Sequence, residues 1–271
     1  MNYRHAFHAG NFGDCMKHAL LIALLTALQK KPGPLFVLDT HAGIGHYDLE
    51  TGPASRTGEW RAGIGRLLDG APLELDAYLT LVRRLGLYPG SPAIIRALLR
   101  DQDRLAACEL HPEDAITLRR RFANDPNVAI HARDAWEAVR ALLPPTQKRG
   151  LVLIDPPFEA PDDFQQTATA LQRAHKATPN FVLAAWYPIK HRPPIREFHA
   201  ALQQSGIRDI IAAELWLRPP LDPARLNGCG LLVVNPPFGF PAEARAILAA
   251  LALRLGDDPD AGSAITVIAD E

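Results

Sequence analysis

The sequence lacks several features that would place it quickly. Its three cysteines, Cys15, Cys108 and Cys229, are scattered and odd in number, and none forms a Cys-x-x-Cys pair. That argues against a disulfide framework or a cysteine-based zinc module and fits a reduced, cytoplasmic compartment. There is no excess of either charge: 29 Lys+Arg stand against 30 Asp+Glu. Composition therefore does not announce a nucleic-acid binder, although a local basic face would suffice for one. The apolar stretch 19–28 is shorter than the ~20 residues a membrane span requires. The polar residues before it, Asp14 among them, argue against a secretory leader, so it is predicted as a buried helix. Repeats and low-complexity tracts are absent, and so is the Gly-Lys-Ser/Thr of a phosphate-binding P-loop.

What is present is a chain of 271 residues, 48% of them hydrophobic, enough for a substantial core. Seven apolar runs read as buried strands: 35–39, 104–110, 127–131, 151–155, 181–186, 209–217 and 230–235. Helical patterns fit between and after them at 17–31, 112–123, 135–143, 162–175, 195–205 and 243–255. Strand and helix alternate, which predicts a doubly wound, Rossmann-like α/β sheet of seven strands covered on both faces. The interval between Gly45 and Arg104 shows no convincing strand but three helical patterns, at 57–68, 73–85 and 91–99. It is too long for one crossover. We read residues 50–100 as a helical insertion within a single domain spanning 1–271.

Chemistry-bearing residues cluster at strand ends. The first strand runs into Asp39-Thr40-His41-Ala42-Gly43-Ile44-Gly45. Glycines there let backbone N–H groups approach a ligand, although a Gly-x-Gly alone also suits a plain tight turn. Glu109, at the end of the second strand, is placed to accept the ribose hydroxyls of a nucleoside cofactor. Asp134, after the third, can accept an adenine amino group, cap the following helix, or do both. The most specific signal is Asp155-Pro156-Pro157-Phe158 after the fourth strand. An exocyclic adenine amine is a poor nucleophile because its lone pair is delocalised into the ring. Hydrogen bonds to Asp155 and to a proline-held backbone carbonyl favour a more tetrahedral nitrogen. Phe158 offers a face on which an extruded base can stack. S-adenosylmethionine would then supply the methyl group, with in-line positioning doing most of the work.

A near-copy, Asn235-Pro236-Pro237-Phe238, fits the same chemistry. Order separates the two. With Asp155, the glycine turn, ribose acid, adenine acid and catalytic loop follow one per successive strand. With Asn235, Asp155 is unexplained. The N-terminal segment 3–18 is rich in functional groups. A metal site from His5, His8 and His18 matches no familiar zinc spacing, and none is expected. A segment folded over cofactor and target base is the better reading, with Asp14 capping the first helix and Lys17 and His18 in its first turns. A plain surface tail is the alternative.

These motifs, in this order, resemble the bacterial 23S rRNA (adenine-N6)-methyltransferase family called RlmJ. The likeness runs from Tyr3-Arg4-His5 through Lys17-His18, residues 38–43, Arg56-Thr57-Gly58-Glu59, residues 88–92, Glu109-Leu110-His111-Pro112 and Asp155-Pro156-Pro157 to Trp186-Tyr187-Pro188 and Asn235-Pro236-Pro237. It implies a class I methyltransferase fold and methylation of one adenine in protein-free or partly assembled 23S rRNA, in the cytoplasm, by a monomer. It implies S-adenosylmethionine contacts from His18, His41, Gly43, Ser91, Glu109, Asp134, Ala135 and Asp155. Asp155, with Pro156 and Phe158, would serve the reaction, and Tyr3, His5 and Lys17 would lie near the target base. The family's usual Tyr after the double proline is Phe158 here, so stacking survives and a hydroxyl does not. The stretch 225–230 resembles the family least. A basic rim for RNA is sought among Arg4, Lys17, Arg83, Arg84, Arg100, Lys190, His191 and Arg192. The competing functions are DNA adenine methylation, which would want a larger recognition domain, and a non-enzymatic nucleotide-binding protein, which leaves Asp155-Pro156-Pro157-Phe158 unexplained.

Overall fold

The computed structural model describes residues 4–70 and 72–270. Eight strands form the main sheet: β1 (Phe36–Asp39), β4 (Arg104–Cys108), β5 (Val128–His131), β6 (Gly150–Ile154), β7 (Val182–Ile189), β8 (Ile210–Trp216), β9 (Gly228–Val234) and β10 (Gly262–Ala269). Their order is β10-β8-β9-β7-β6-β1-β4-β5. The five strands β7-β6-β1-β4-β5 run parallel, and β9, β8 and β10 join antiparallel beyond β7. Two short strands, β2 (His46–Tyr47) and β3 (Tyr88–Pro89), pair separately.

The expectation of seven strands is therefore short by one. β10 is an edge strand with only Ile268 buried, and no strand was expected there although residues 264–269 are apolar apart from Thr266. The β2/β3 pair falls where no strand was expected. Two-residue strands, one ending in proline, carry no readable period.

Helices cover both faces. One face packs α1 (Phe12–Gln29), α5 (Ser91–Leu98) and α10 (Phe240–Leu255). The other packs α7 (Ala135–Leu142), α8 (Asp163–Ala177) and α9 (Arg192–Gln203). The stretch 19–28 is the middle of α1 and belongs to the core: every residue from Gly13 to Leu25 is buried. Among the described residues, no helix is long and apolar enough to cross a membrane. Between β1 and β4 lie α2 (Ala54–Thr57), a π-helical turn (Arg61–Gly65), α3 (Arg66–Leu68) and α4 (Asp76–Leu85), followed by α5; α6 (Pro112–Arg121) follows β4.

The start of α1 differs from expectation and positions the site. The helix begins at Phe12, five residues earlier than predicted, and its cap is Asn11, not Asp14. The Asn11 side chain accepts the Asp14 N–H at 3.0 Å. That places Asp14, Lys17 and His18 inside the helix at i, i+3 and i+4, on one inward face.

The two Pro-Pro loops end up at opposite edges of the sheet. β6 and β7 are parallel, with Ile154 opposite Ala185, so Asp155 leaves where β7 is nearing its end. β9 is antiparallel to β7, with Val234 opposite Leu183, so Asn235 leaves where β7 begins. The Asn235 amide donates to the carbonyls of Pro179 and Phe181, both at 2.8 Å. It fastens the entry to β7 and is remote from the other loop.

Candidate active site

A cavity of about 830 Å³ opens across the carboxyl ends of the parallel strands, where a ligand crevice is expected in such a sheet. His5, Lys17, His41, Gly43, Ser91, Glu109, Asp134, Ala135, Asp155, Pro156 and Phe158 all line it. His18 does not. It is fully buried one layer behind, where its Nδ1 meets the Tyr88 hydroxyl at 3.1 Å, and Tyr88 in turn meets the Tyr78 hydroxyl at 3.1 Å. The His18 Nε2 has no hydrogen-bond partner among the described residues. Tyr3 lies outside the described residues.

Lys17 is the centre of the charge arrangement. Its Nζ stands 2.6 Å from Asp155 Oδ2 and 3.0 Å from Asp14 Oδ1. Asp14 Oδ2 takes the Gly10 N–H at 2.9 Å and His5 Nε2 at 3.0 Å. Burial opposes charge on both partners. The two carboxylates outweigh it and hold the Lys17 ammonium well above its ordinary pKa. His5 and Lys17 likewise hold Asp14 well below its own. The result is an Asp14–Lys17–Asp155 chain of contacts that leads from the helix to the loop after β6.

The glycine turn is held from below by Glu109. Its two oxygens accept the N–H groups of Gly43 at 2.9 Å and His111 at 2.7 Å, and burial raises its pKa. Gly43 has φ +62, and a Cβ there would sit 2.2 Å from the Tyr47 hydroxyl, so only glycine serves. Asp134 does cap α7: Oδ1 accepts from Trp136 at 2.9 Å and Glu137 at 3.1 Å. Oδ2 is left without a protein partner among the described residues. His41 Nδ1 lies 2.8 Å from the Thr40 hydroxyl and 3.3 Å from the Asp155 N–H. Burial lowers its pKa to about 4, so the ring is neutral at pH 7.

Phe158 adopts φ 52, uncommon for a bulky residue, within the loop after β6. Its ring lies 4.8 Å from Phe164 and 6.0 Å from Trp186, centroid to centroid. A strained aromatic packed on two others forms a fixed apolar face at the cavity wall.

Sequence reasoning missed Glu59, which joins His8 at 2.9 Å and the cap residue Asn11 at 3.1 Å. The Arg56-Thr57-Gly58-Glu59 motif carried that signal. Thr57 Oγ1 also donates to the Phe7 carbonyl at 2.6 Å, so the motif clasps the N-terminal segment. Half of the expected basic rim is already engaged. Arg4 pairs with Glu113, Arg100 with Asp103, Arg192 with Glu214, and Lys17 is buried. Among the described residues, no group of three or more His, Cys, Asp and Glu is arranged for a metal ion.

Asp39 was read only as the acid ending β1. It is fully buried, and neither oxygen has a well-formed hydrogen bond. Burial raises its pKa to about 7, partly opposed by the nearby Ser91 hydroxyl. The folded pKa lies above the unfolded one, so the folded state holds the extra proton. Stability is then full below about pH 4 and declines as pH rises towards 7. Buried His18 and His41, whose pKa values burial lowers to about 3 and about 4, act in the opposite sense over that range. Comparing Asp39→Asn with wild type isolates the carboxyl. The variant is expected to be more stable at pH 8, by on the order of 3 kcal/mol, with the gain vanishing near pH 4. Urea denaturation across this range checks it, and parallel profiles for the two proteins would contradict the assignment.

Comparison with known proteins bears on the whole arrangement. Two curated relatives are each called ribosomal RNA large subunit methyltransferase J. The one from Haemophilus influenzae is 38% identical over 257 residues, 92% of each chain. The one from Escherichia coli is 39% identical over 256 residues, 92% of this chain and 91% of that one. A crystal structure of a Legionella pneumophila protein superposes with a TM-score of 0.86 at 32% identity, covering 96% of this chain and 97% of that one. The sequence model described as ribosomal RNA large subunit methyltransferase D, RlmJ, matches residues 32–267. The chain belongs to the RlmJ family of ribosomal RNA large subunit methyltransferases.

Proposed function

We propose that this protein transfers a methyl group from S-adenosylmethionine to the exocyclic N6 of one adenine in 23S rRNA, on RNA that is protein-free or partly assembled. The observation that carries the reading is Asp155 at the head of a rigid Pro-Pro loop, with one carboxylate oxygen held by buried Lys17. The residues present suit the cofactor. Gly43 lets a ligand approach the backbone of the turn closely, and Glu109 and Asp134 offer carboxylates to a ligand with a ribose, an adenine and a positive sulfonium. Ser91, His41, Gly43 and Ala135 complete that wall. When bound, S-adenosylmethionine supplies an electrophilic methyl group.

The protein's part is positioning. Lys17 occupies Asp155 Oδ2 and leaves Oδ1 to accept one N–H of the adenine amine. The Pro156 carbonyl, in a donor-free backbone, accepts the other. Phe158, backed by Phe164 and Trp186, stacks the extruded base. The nitrogen loses a proton as it gains the methyl group, and Asp155 is assigned as its acceptor. His5, edge-on to Tyr47 with ring centroids 5.2 Å apart, braces Asp14 beside the base. The same reading takes the chain as one domain with residues 50–100 as its helical insertion, acting as a cytoplasmic monomer without a metal ion.

The test is transfer of radiolabelled methyl groups from S-adenosylmethionine to deproteinised 23S rRNA that lacks the mark. Incorporation at a single adenine, located by mass mapping, is the expected result. Labelling of duplex DNA without labelling of the rRNA would overturn the substrate.

A further inference from the structure

The cavity crosses more of the sheet than the cofactor reading uses. Glu109 and Asp134 lie over β4 and β5 on one side of the catalytic loop. On the other side the lining continues over β7, β8 and β9 with Pro188, Lys190, Leu217, Arg218, Arg225 and Leu226. The charges divide the same way. Acids Glu109, Asp114 and Asp134 gather at the first end, outnumbering the one arginine there, Arg133. At the second, Asp257 is neutralised by Arg218, and Lys190 and Arg225 are exposed cations with no ion pair among the described residues. Asp163, nearer the loop, is engaged with the Ala160 N–H at 2.9 Å.

This end is also built rather than loose. β7 continues four residues past the register of β6, from Ala185 opposite Ile154 to Ile189, and delivers Lys190 beyond the catalytic loop. Asn227, 1% exposed, donates its amide to the carbonyls of Lys190 and Asp222, both at 2.7 Å, and its backbone N–H to Ile189 at 2.9 Å. Arg218 Nη1 holds the Leu226 carbonyl at 3.0 Å. One buried amide therefore fixes the backbones carrying both free cations relative to each other. At ~3.3 Å per strand residue, Lys190 lies roughly 15 Å along β7 from the level of Ile154. That suits a phosphate beside the target nucleotide rather than the target itself.

We infer that Lys190 and Arg225 form an anion subsite that grips the RNA phosphodiester backbone next to the flipped adenosine. Acid at one end and base at the other orient the two ligands: the sulfonium cofactor over β1, β4 and β5, the polyanion over β7, β8 and β9. The inference rests on the RNA reading above.

The experiment compares wild type with Lys190→Gln, Arg225→Gln, the double variant and the charge-keeping pair Lys190→Arg/Arg225→Lys. Methylation of deproteinised 23S rRNA and binding of a single-stranded oligoadenylate are read between 50 and 200 mM salt. The double variant is expected to raise KM for RNA about tenfold, with kcat and S-adenosylmethionine affinity unchanged. Its salt dependence should be shallower by roughly 0.7 to 0.9 in log–log slope per cation removed, and the charge-keeping pair should restore both. Wild-type KM and slope in the double variant would overturn the subsite while leaving the methylation reading intact. Failure of wild type to methylate rRNA would overturn that reading, and the oligoadenylate slopes would still decide the subsite.

Discussion

Replacement of Asp155 by alanine is expected to lower kcat for RNA methylation by about 10³-fold, with S-adenosylmethionine affinity changed no more than a few-fold. The magnitude follows from removing a hydrogen-bond acceptor aimed at the reacting group, where single donors or acceptors commonly contribute 10² to 10³. Folding is expected to survive. Asp155 sits at a loop, and Lys17 keeps its second partner, Asp14, at 3.0 Å, so the truncation strands no buried charge. Asp155→Asn separates two roles of the side chain. Its amide oxygen can still accept an amine N–H, but it can take up no proton and offers Lys17 no charge. It is therefore expected to retain more activity than Asp155→Ala and less than wild type. Single-turnover kinetics with saturating cofactor distinguish chemistry from binding. Full activity in Asp155→Ala would remove the loop from the reaction.

Much of this frame is legible in the sequence because parallel strands buried on both faces read as apolar runs. Seven of the eight main-sheet strands stand out as apolar runs, and the acids after β4, β5 and β6 gather at the cavity. The exception is β10, an edge strand that pairs antiparallel with β8 beyond the last expected helix. The choice between Asp155 and Asn235 is instructive. The tetrapeptides are near-identical, and order alone favoured the first. Strand direction supplies the physical reason, since an antiparallel β9 delivers its Pro-Pro loop to the far edge of the sheet.

The polar interior of the N-terminal segment was less legible. Asp14 is a good cap residue by type, and nothing local says that Asn11 takes the cap instead. Only the packed helix shows that Asp14 is turned inward to meet Lys17 and His5. His18 entered the expected cofactor site through the family resemblance alone. One residue further round the helix than Lys17, it points past the cavity to Tyr88. Four members of the expected basic rim are engaged for another reason: pairing with Glu113, Asp103 or Glu214, or burial of Lys17, is long-range or geometric, and composition does not reveal which charges are already spent.

The largest expected effect on stability comes from Lys17→Met. Lys17 is 4% exposed and stands between two carboxylates, of which Asp14 is 3% exposed. A methionine fills the volume but leaves Asp14 and Asp155 facing each other with no cation between them. Breaking a buried ion pair from one side typically costs about 3–5 kcal/mol, because the remaining charge is stranded. That loss is expected at pH 7 by urea denaturation, together with a fall in kcat as Asp155 Oδ2 loses its anchor. The pH dependence gives the cause a signature. In wild type the depressed pKa of Asp14 contributes stability that is present above its unfolded value near 4 and is lost as pH falls through the folded value. Without Lys17 that contribution shrinks, so the deficit of the variant should narrow on acidification. Adding Asp14→Asn should recover part of the loss, with a coupling energy of about 0.5–3 kcal/mol between the two sites. Strictly additive effects, or a variant as stable as wild type at pH 7, would mean that the ammonium is not what holds the two carboxylates together.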